Sequence, residues 1–389
     1  MMAVTDRTIG LRGLAAPIAA ITLFGVSLSM SYPIFGLLLE RMGASGAEIG
    51  ANTTAAAVAM VIGAPLLPAV LRRVGIGPLM VWSALGLIAL LLIAPLHQGF
   101  WYWTVIRLFY GLAGTALFFA SEYWIVAVAP EMRRGRIIAI YALCVSAGFA
   151  LGPALLSQIG LEGMRPFLAA ASVVALGLSA ILWGIAEAPP ANQDRPPSPR
   201  AALRIFVTDP GVVFAVVLFG IIEFGAMALI PVWGVRSGLG ETDAALLLTV
   251  FALGAMVLQM PLGWAADRFD RRWVLAVSAA GSVAAPIGMA MAGPSYLGML
   301  LWAGLWGATS VGLYSVALTE IGARYQGTAL SVANAAVILG YGVGALASPV
   351  AFGSAMDLVP PNGLMYLAAV LATAYLTLIS LRIWRGRSS

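Results

Sequence analysis

Residues 211–235 read GVVFAVVLFGIIEFGAMALIPVWGV, a run of consecutive positions whose one charged side chain is Glu223. An α-helix rises about 1.5 Å per residue, so about 20 apolar residues carry it through the hydrocarbon core of a bilayer. The run is long enough to span, and it lacks the polar stripe of a helix that faces water. Eleven further runs of this kind lie near 14–39, 47–70, 76–95, 100–129, 136–158, 165–186, 244–266, 273–293, 296–320, 327–353 and 363–384. The expected fold class is therefore an all-α membrane protein with twelve transmembrane helices. Composition agrees, since 61% of the 389 residues are hydrophobic and 10% are charged, against about 25% charged in soluble domains. A β-barrel would show short alternating strands instead. The first apolar run continues through Tyr32 and Pro33 to Glu40 without an A-x-A-like site, which is unlike a cleaved leader.

The 21 basic residues are all arginine. Counting spans from an inside N-terminus places most of them on one side: Arg7, Arg12, Arg72, Arg73, Arg133, Arg134, Arg136, Arg195, Arg200, Arg204, Arg268, Arg271, Arg272, Arg324, Arg382, Arg385 and Arg387. Arg41, Arg165 and Arg236 fall outside, and Arg107 lies within a span. Positive loops stay in the cytoplasm, so both termini are expected there, in a bacterial-type inner membrane. The net charge of +5 reflects this topology. No basic-aromatic array suggests a nucleic-acid partner.

Several chemistries are unsupported. Without lysine there is no Walker A loop of the usual kind. Cys144 is the one cysteine and His97 the one histidine, too few for a thiolate cluster, a zinc site or a catalytic triad. No catalytic residue, metal or cofactor is expected.

The polar stretch 187–210 holds Pro189, Pro190, Pro196, Pro197 and Pro199, a composition suited to an extended linker. It separates an N-terminal block, 1–186, from a C-terminal block, 211–389, each with six spans. The blocks echo one another. Pro33 and Gly36 recur 198 positions later as Pro231 and Gly234, and Gly135, Gly148 and Gly152 recur 192 positions later as Gly327, Gly340 and Gly344.

Between spans eight and nine stands Gly263-Trp-Ala-Ala-Asp267-Arg268-Phe-Asp270-Arg271-Arg272. It resembles the major facilitator loop signature G-x-L-A-D-R-x-G-R-R, with Ala265 for the leucine and Asp270 for the second glycine. Leu258 to Leu262, Glu122-Tyr-Trp124, Arg134-Gly135-Arg136 and Leu313-Tyr314-Ser315 extend the likeness, which is to the YcaD-like branch. The resemblance implies two six-helix bundles related by a pseudo-two-fold axis, acting as a monomeric transporter. It also implies that Gly263, Asp267, Arg268, Arg271 and Arg272 form a latch, docking near Arg136 in the state closed to the cytoplasm. The alternative is a positive turn that only enforces topology. Gly148-x-x-x-Gly152-Pro153 on span five resembles an antiporter signature, although Leu156 and Ser157 replace its final glycines; Gly344-x-x-x-Ser348-Pro349 matches it on span eleven. Small residues four apart allow close helix packing or gating.

Charges within spans point to mechanism, since each costs at least about 2.5–3.5 kcal/mol at mid-bilayer. Arg107 and Glu122 share one arc of span four, about 22 Å apart along the axis, and Glu223 lies midway along span seven. In the resembled family spans one, four, seven and ten line a central cavity, which there would include Ser31, Tyr32, Phe118, Trp306, Ser310 and Tyr314. Glu223 is the expected proton-exchanging carboxylate. Glu122 would be a second titratable or substrate-contacting group, and Arg107, the arginine of an R-x-x-x-G phrase, would touch substrate or tune a carboxylate. A buried carboxylate that only orients helices is the structural alternative. The expected function is proton-coupled transport of a small organic solute, apolar or planar, with export favoured over uptake or uniport. A non-transport scaffold or receptor is the rival from another class.

Overall fold

The computed structural model describes residues 10–63, 65–130, 133–190, 204, 206 and 208–387. Most of the 187–210 linker lies outside the described residues, as do Arg7, Arg195 and Arg200. Among the described residues, eleven helices are long and apolar enough to cross a membrane. In chain order these are span one (Leu11–Arg41), three (Ile76–Leu96, ending in a 3-10 turn), four (Phe100–Val128), five (Arg134–Ile159) and six (Arg165–Glu187). Then follow seven (Pro210–Arg236), eight (Glu241–Arg268), nine (Arg271–Met291), ten (Tyr296–Arg324), eleven (within Gly327–Leu358) and twelve (within Gly363–Arg387). Span two departs from the expected continuous helix. It is broken into Gly46–Gly63 and Leu67–Val74, which meet at 65°. Pro65 follows the first piece, and a proline lacks an N–H and disfavours helix before it.

Packing repeats with a period of six spans. Span one lies against four, five and six, as seven lies against ten, eleven and twelve; two packs on four as eight packs on ten; three packs on six as nine packs on twelve. These are the two six-helix bundles of the fold. The bundles meet where span one faces seven, two faces eleven and five faces eight.

Helix ends set the register of the repeat. Gly43 (φ 80°) and Gly238 (φ 95°) end spans one and seven in the left-handed region that glycine adopts without strain. The next amides, of Ala44 and Leu239, return to the Leu39 and Gly234 carbonyls, each at 3.0 Å. The two caps are 195 positions apart, so the Pro33/Pro231 match at 198 does not join equivalent depths. A Cβ built on Gly148 would lie 2.4 Å from the Thr22 carbonyl oxygen, and one on Gly344 would lie 2.4 Å from that of Val217. Gly148 and Gly344 thus make the same contact, 196 positions apart. The matches spaced by 192 are out of register by one helical turn.

Of the aromatic triplet opening span four, Trp101 is exposed and Trp103 is fully buried. The Trp103 indole N–H donates to the Ala94 carbonyl at 2.9 Å. Trp103 is therefore a core residue, not the interfacial anchor its position suggests, because an indole inside needs an acceptor and the turn after span three supplies one.

Candidate functional site

A cavity of about 370 Å³ lies between the bundles, walled by spans one, four, five, seven, eight, ten and eleven. Glu223 reaches it from the middle of span seven. The Tyr341 hydroxyl on span eleven donates to Glu223 Oε2 at 2.6 Å. Phe219, one helical turn before Glu223, lies 5.1 Å from the Tyr314 ring and 6.0 Å from the Tyr341 ring, centroid to centroid. Phe118, Ser310 and Tyr314 line the cavity as the sequence leads one to expect.

Ser31, Tyr32 and Trp306 do not line it. Trp306 is fully buried with its ring edge-on to Phe251 at 5.7 Å. Ser31 and Tyr32 serve Arg107 instead. The guanidinium sits 4.8 Å from the Tyr32 ring centre and 5.3 Å from that of Phe35. Its Nη1 donates to Ser31 Oγ at 3.0 Å and its Nη2 to Thr53 Oγ1 at 3.4 Å, while Nε has no hydrogen-bond partner among the described residues. Arg107 is 1% exposed, and among the described residues it has no carboxylate partner. Tyr32 stands within electrostatic range of both Arg107 and Glu223.

Glu122 is exposed and, among the described residues, makes no hydrogen bond or ion pair. It is not on the cavity wall, yet Tyr141 and Tyr314, which are, lie within its electrostatic range. Tyr314 feels both Glu122 and Glu223.

The two ends of the molecule differ. At the end bearing Arg41, ion pairs join the bundles. Arg236 of span seven grips Glu40 of span one with two 2.9 Å bonds and reaches Asp357 of span eleven at 2.8 Å. Asp357 in turn accepts from the Gly46 and Ala47 amides at the start of span two, at 2.8 and 2.9 Å. Arg41 pairs with Glu241 at 2.5 Å and with Glu162 at 3.2 Å. Backbones touch here as well. A Cβ on Gly50 would fall 2.0 Å from the Pro349 carbonyl oxygen, and one on Gly353 would fall 1.9 Å from that of Gly46.

At the opposite, arginine-rich end the ion pairs found among the described residues stay within one bundle. Arg271 donates to Glu320 at 3.0 Å, Arg324 also pairs with Glu320, and Arg324 donates to Asp209 at 2.9 Å. Glu320 thus holds Arg324 of its own helix together with Arg271 from the start of span nine. Arg268 stacks on Trp264 at 4.6 Å. Asp267 is exposed and has no ion pair among the described residues. Asp270, standing for the second motif glycine, caps span nine by accepting from the Arg272 amide at 2.9 Å. Gly263 has no atom within 4 Å of an added Cβ, whereas one on Gly152 would strike the Val26 carbonyl at 2.3 Å. Pro153 lies inside span five and Pro349 inside span eleven.

Sequence reasoning missed Tyr341, Arg236 and Asp357. A tyrosine in an apolar helix carries no mark of its partner. The arginine and aspartate sit at helix ends, where charge is ordinary.

A family model described as the Major Facilitator Superfamily matches residues 18–245 and 237–389. The chain is 28% identical over 263 residues to a protein of Bacillus subtilis (strain 168) named as the uncharacterized MFS-type transporter YfkF, covering 66% of each. It is 23% identical over 366 residues to the uncharacterized MFS-type transporter YcaD of Shigella flexneri serotype 5b, covering 93% of this chain and 94% of that one. Among solved structures, a D-xylose-proton symporter superposes with a TM-score of 0.74 at 13% identity, covering 94% of this chain and 96% of that one.

Proposed function

Because the chain belongs to the major facilitator superfamily, we propose that it moves a small organic solute by proton-coupled alternating access. The moving bodies are residues 1–186 and 211–389, joined by 187–210, in a monomer. The observation that carries this reading is Glu223, a hydrogen-bonded carboxylate on the wall of a cavity between the bundles. A carboxyl there exchanges a proton as the cavity faces alternate sides. Asymmetric tying of the ends supports the same reading. Contacts made in only one state bias a two-state equilibrium, and among the described residues cross-bundle ion pairs are found at the Arg41 end alone.

Arginine bias assigns the untied end, and with it both termini, to the cytoplasm of a bacterial inner membrane. The state is then open inward, with the Asp267 latch unmade. In the opposite state Asp267 docks near Arg136. The Gly148–Pro153 phrase favours export in exchange for protons.

A thermal-shift screen over metabolites identifies a solute. Proteoliposomes with an imposed pH gradient then compare wild type with Glu223→Gln. Gradient-driven flux is expected to vanish in the variant. Undiminished flux overturns the assignment.

A further inference from the structure

The cavity wall carries one sign of charge. Among the described residues, Glu223 is the one charged side chain that lines it. Phe219, Tyr314 and Tyr341 stand around it, and Phe118, Phe149 and Phe251 extend the aromatic wall. Every such ring presents a negative face that attracts a cation and repels an anion. From the elements packed against it, Glu223 is faced by Tyr341 of span eleven, Tyr314 of span ten and Tyr32 of span one. None of these is basic. Arg107 is turned away, its guanidinium against Tyr32 and its Nη atoms spent on Ser31 and Thr53. Glu122, within electrostatic range of Tyr141 and Tyr314, adds negative potential on the other flank.

We propose that the solute is a monovalent organic cation with a bulky apolar body, its charge against Glu223 and its body among the rings. This rests on the transporter reading above and names its substrate class. An ionised carboxylate in so apolar a space needs neutralising. A proton and the organic cation each do so once, so binding one releases the other. Charge balances at each step: the carboxyl O–H bond breaks, the proton leaves to water, and the cation takes its place.

The test uses the purified full chain in neutral detergent with tetraphenylphosphonium and tetraphenylborate, ions of one shape and opposite charge. The phosphonium is expected to bind at least about tenfold more tightly and to release about one proton into weak buffer. Glu223→Gln, shown folded by its unfolding temperature, is expected to lose the proton release and most of the phosphonium preference, keeping the part the rings supply. Equal binding of the two ions, or a preference undiminished in Glu223→Gln, overturns the proposal. The two readings fail separately. Glu223-dependent flux of a screened solute without phosphonium preference sinks the cation assignment and leaves the transporter. Phosphonium binding with proton release but no Glu223-dependent flux supports the cation site and sinks the transporter reading.

Discussion

The Tyr341 hydroxyl holds Glu223 across 2.6 Å, and Tyr341 belongs to span eleven, which also packs on span two of the opposite bundle. The charged group of the cavity is thus tied to a helix at the bundle interface. A hydrogen bond to a charged group contributes about 1.5–3 kcal/mol. Tyr341→Phe keeps the ring and its packing on Phe219 and Phe224 and removes the bond alone. Gradient-driven flux is expected to fall at least about tenfold with little change in unfolding temperature. Wild-type flux in this variant would show that the bond takes no part in coupling.

Backbone contact at the closed end makes a sharper prediction. With the Pro349 carbonyl 2.0 Å from a Cβ on Gly50, Gly50→Ala cannot adopt this closure without moving span two off span eleven. Transport is expected to stop although the protein still inserts and folds. Normal flux in Gly50→Ala refutes the claim that this contact must form in each cycle.

Span number and placement were legible because hydropathy measures what a bilayer selects. The loop motif was legible because its residues are contiguous. Partners across the bundle interface were not. Arg236 and Glu40 are 196 positions apart and meet only after both bundles fold. Pro33 and Pro231 misled because abundant glycine and proline match at several offsets, while only backbone caps such as Gly43 and Gly238 fix depth. Cavity placement was half legible: Ser310 and Tyr314 line it, whereas Trp306, one turn earlier, turns into the core against Phe251.

The ion pairs at the two ends should act in opposite directions. Arg236 bridges Glu40 and Asp357 with side chains 19–29% exposed, so breaking it costs more than a surface pair and less than a fully buried one. Arg236→Gln is expected to shift the equilibrium about tenfold toward states open at that end. Spin labels near Ala44 and Leu358, in a Cys144→Ala background, would read this as a longer-distance population. Asp267→Asn removes a group with no ion pair among the described residues, so the same labels should report no such widening while transport slows. Identical distance distributions in Arg236→Gln and wild type would show that these pairs do not hold the end shut.

Arg107 sets stability against function. It is buried without a carboxylate partner among the described residues, and its Nε donates to nothing. Replacing a buried charge by an apolar side chain of similar size is often neutral or stabilising by about 1–4 kcal/mol. Arg107→Met is therefore expected to unfold at the same or a higher temperature, while gradient-driven flux drops at least about tenfold. That pair of outcomes would assign the charge to another state of the cycle. Two results separate the possibilities. A lower unfolding temperature makes the stacking on Tyr32 and Phe35 the reason Arg107 is there, and undiminished flux removes it from the mechanism.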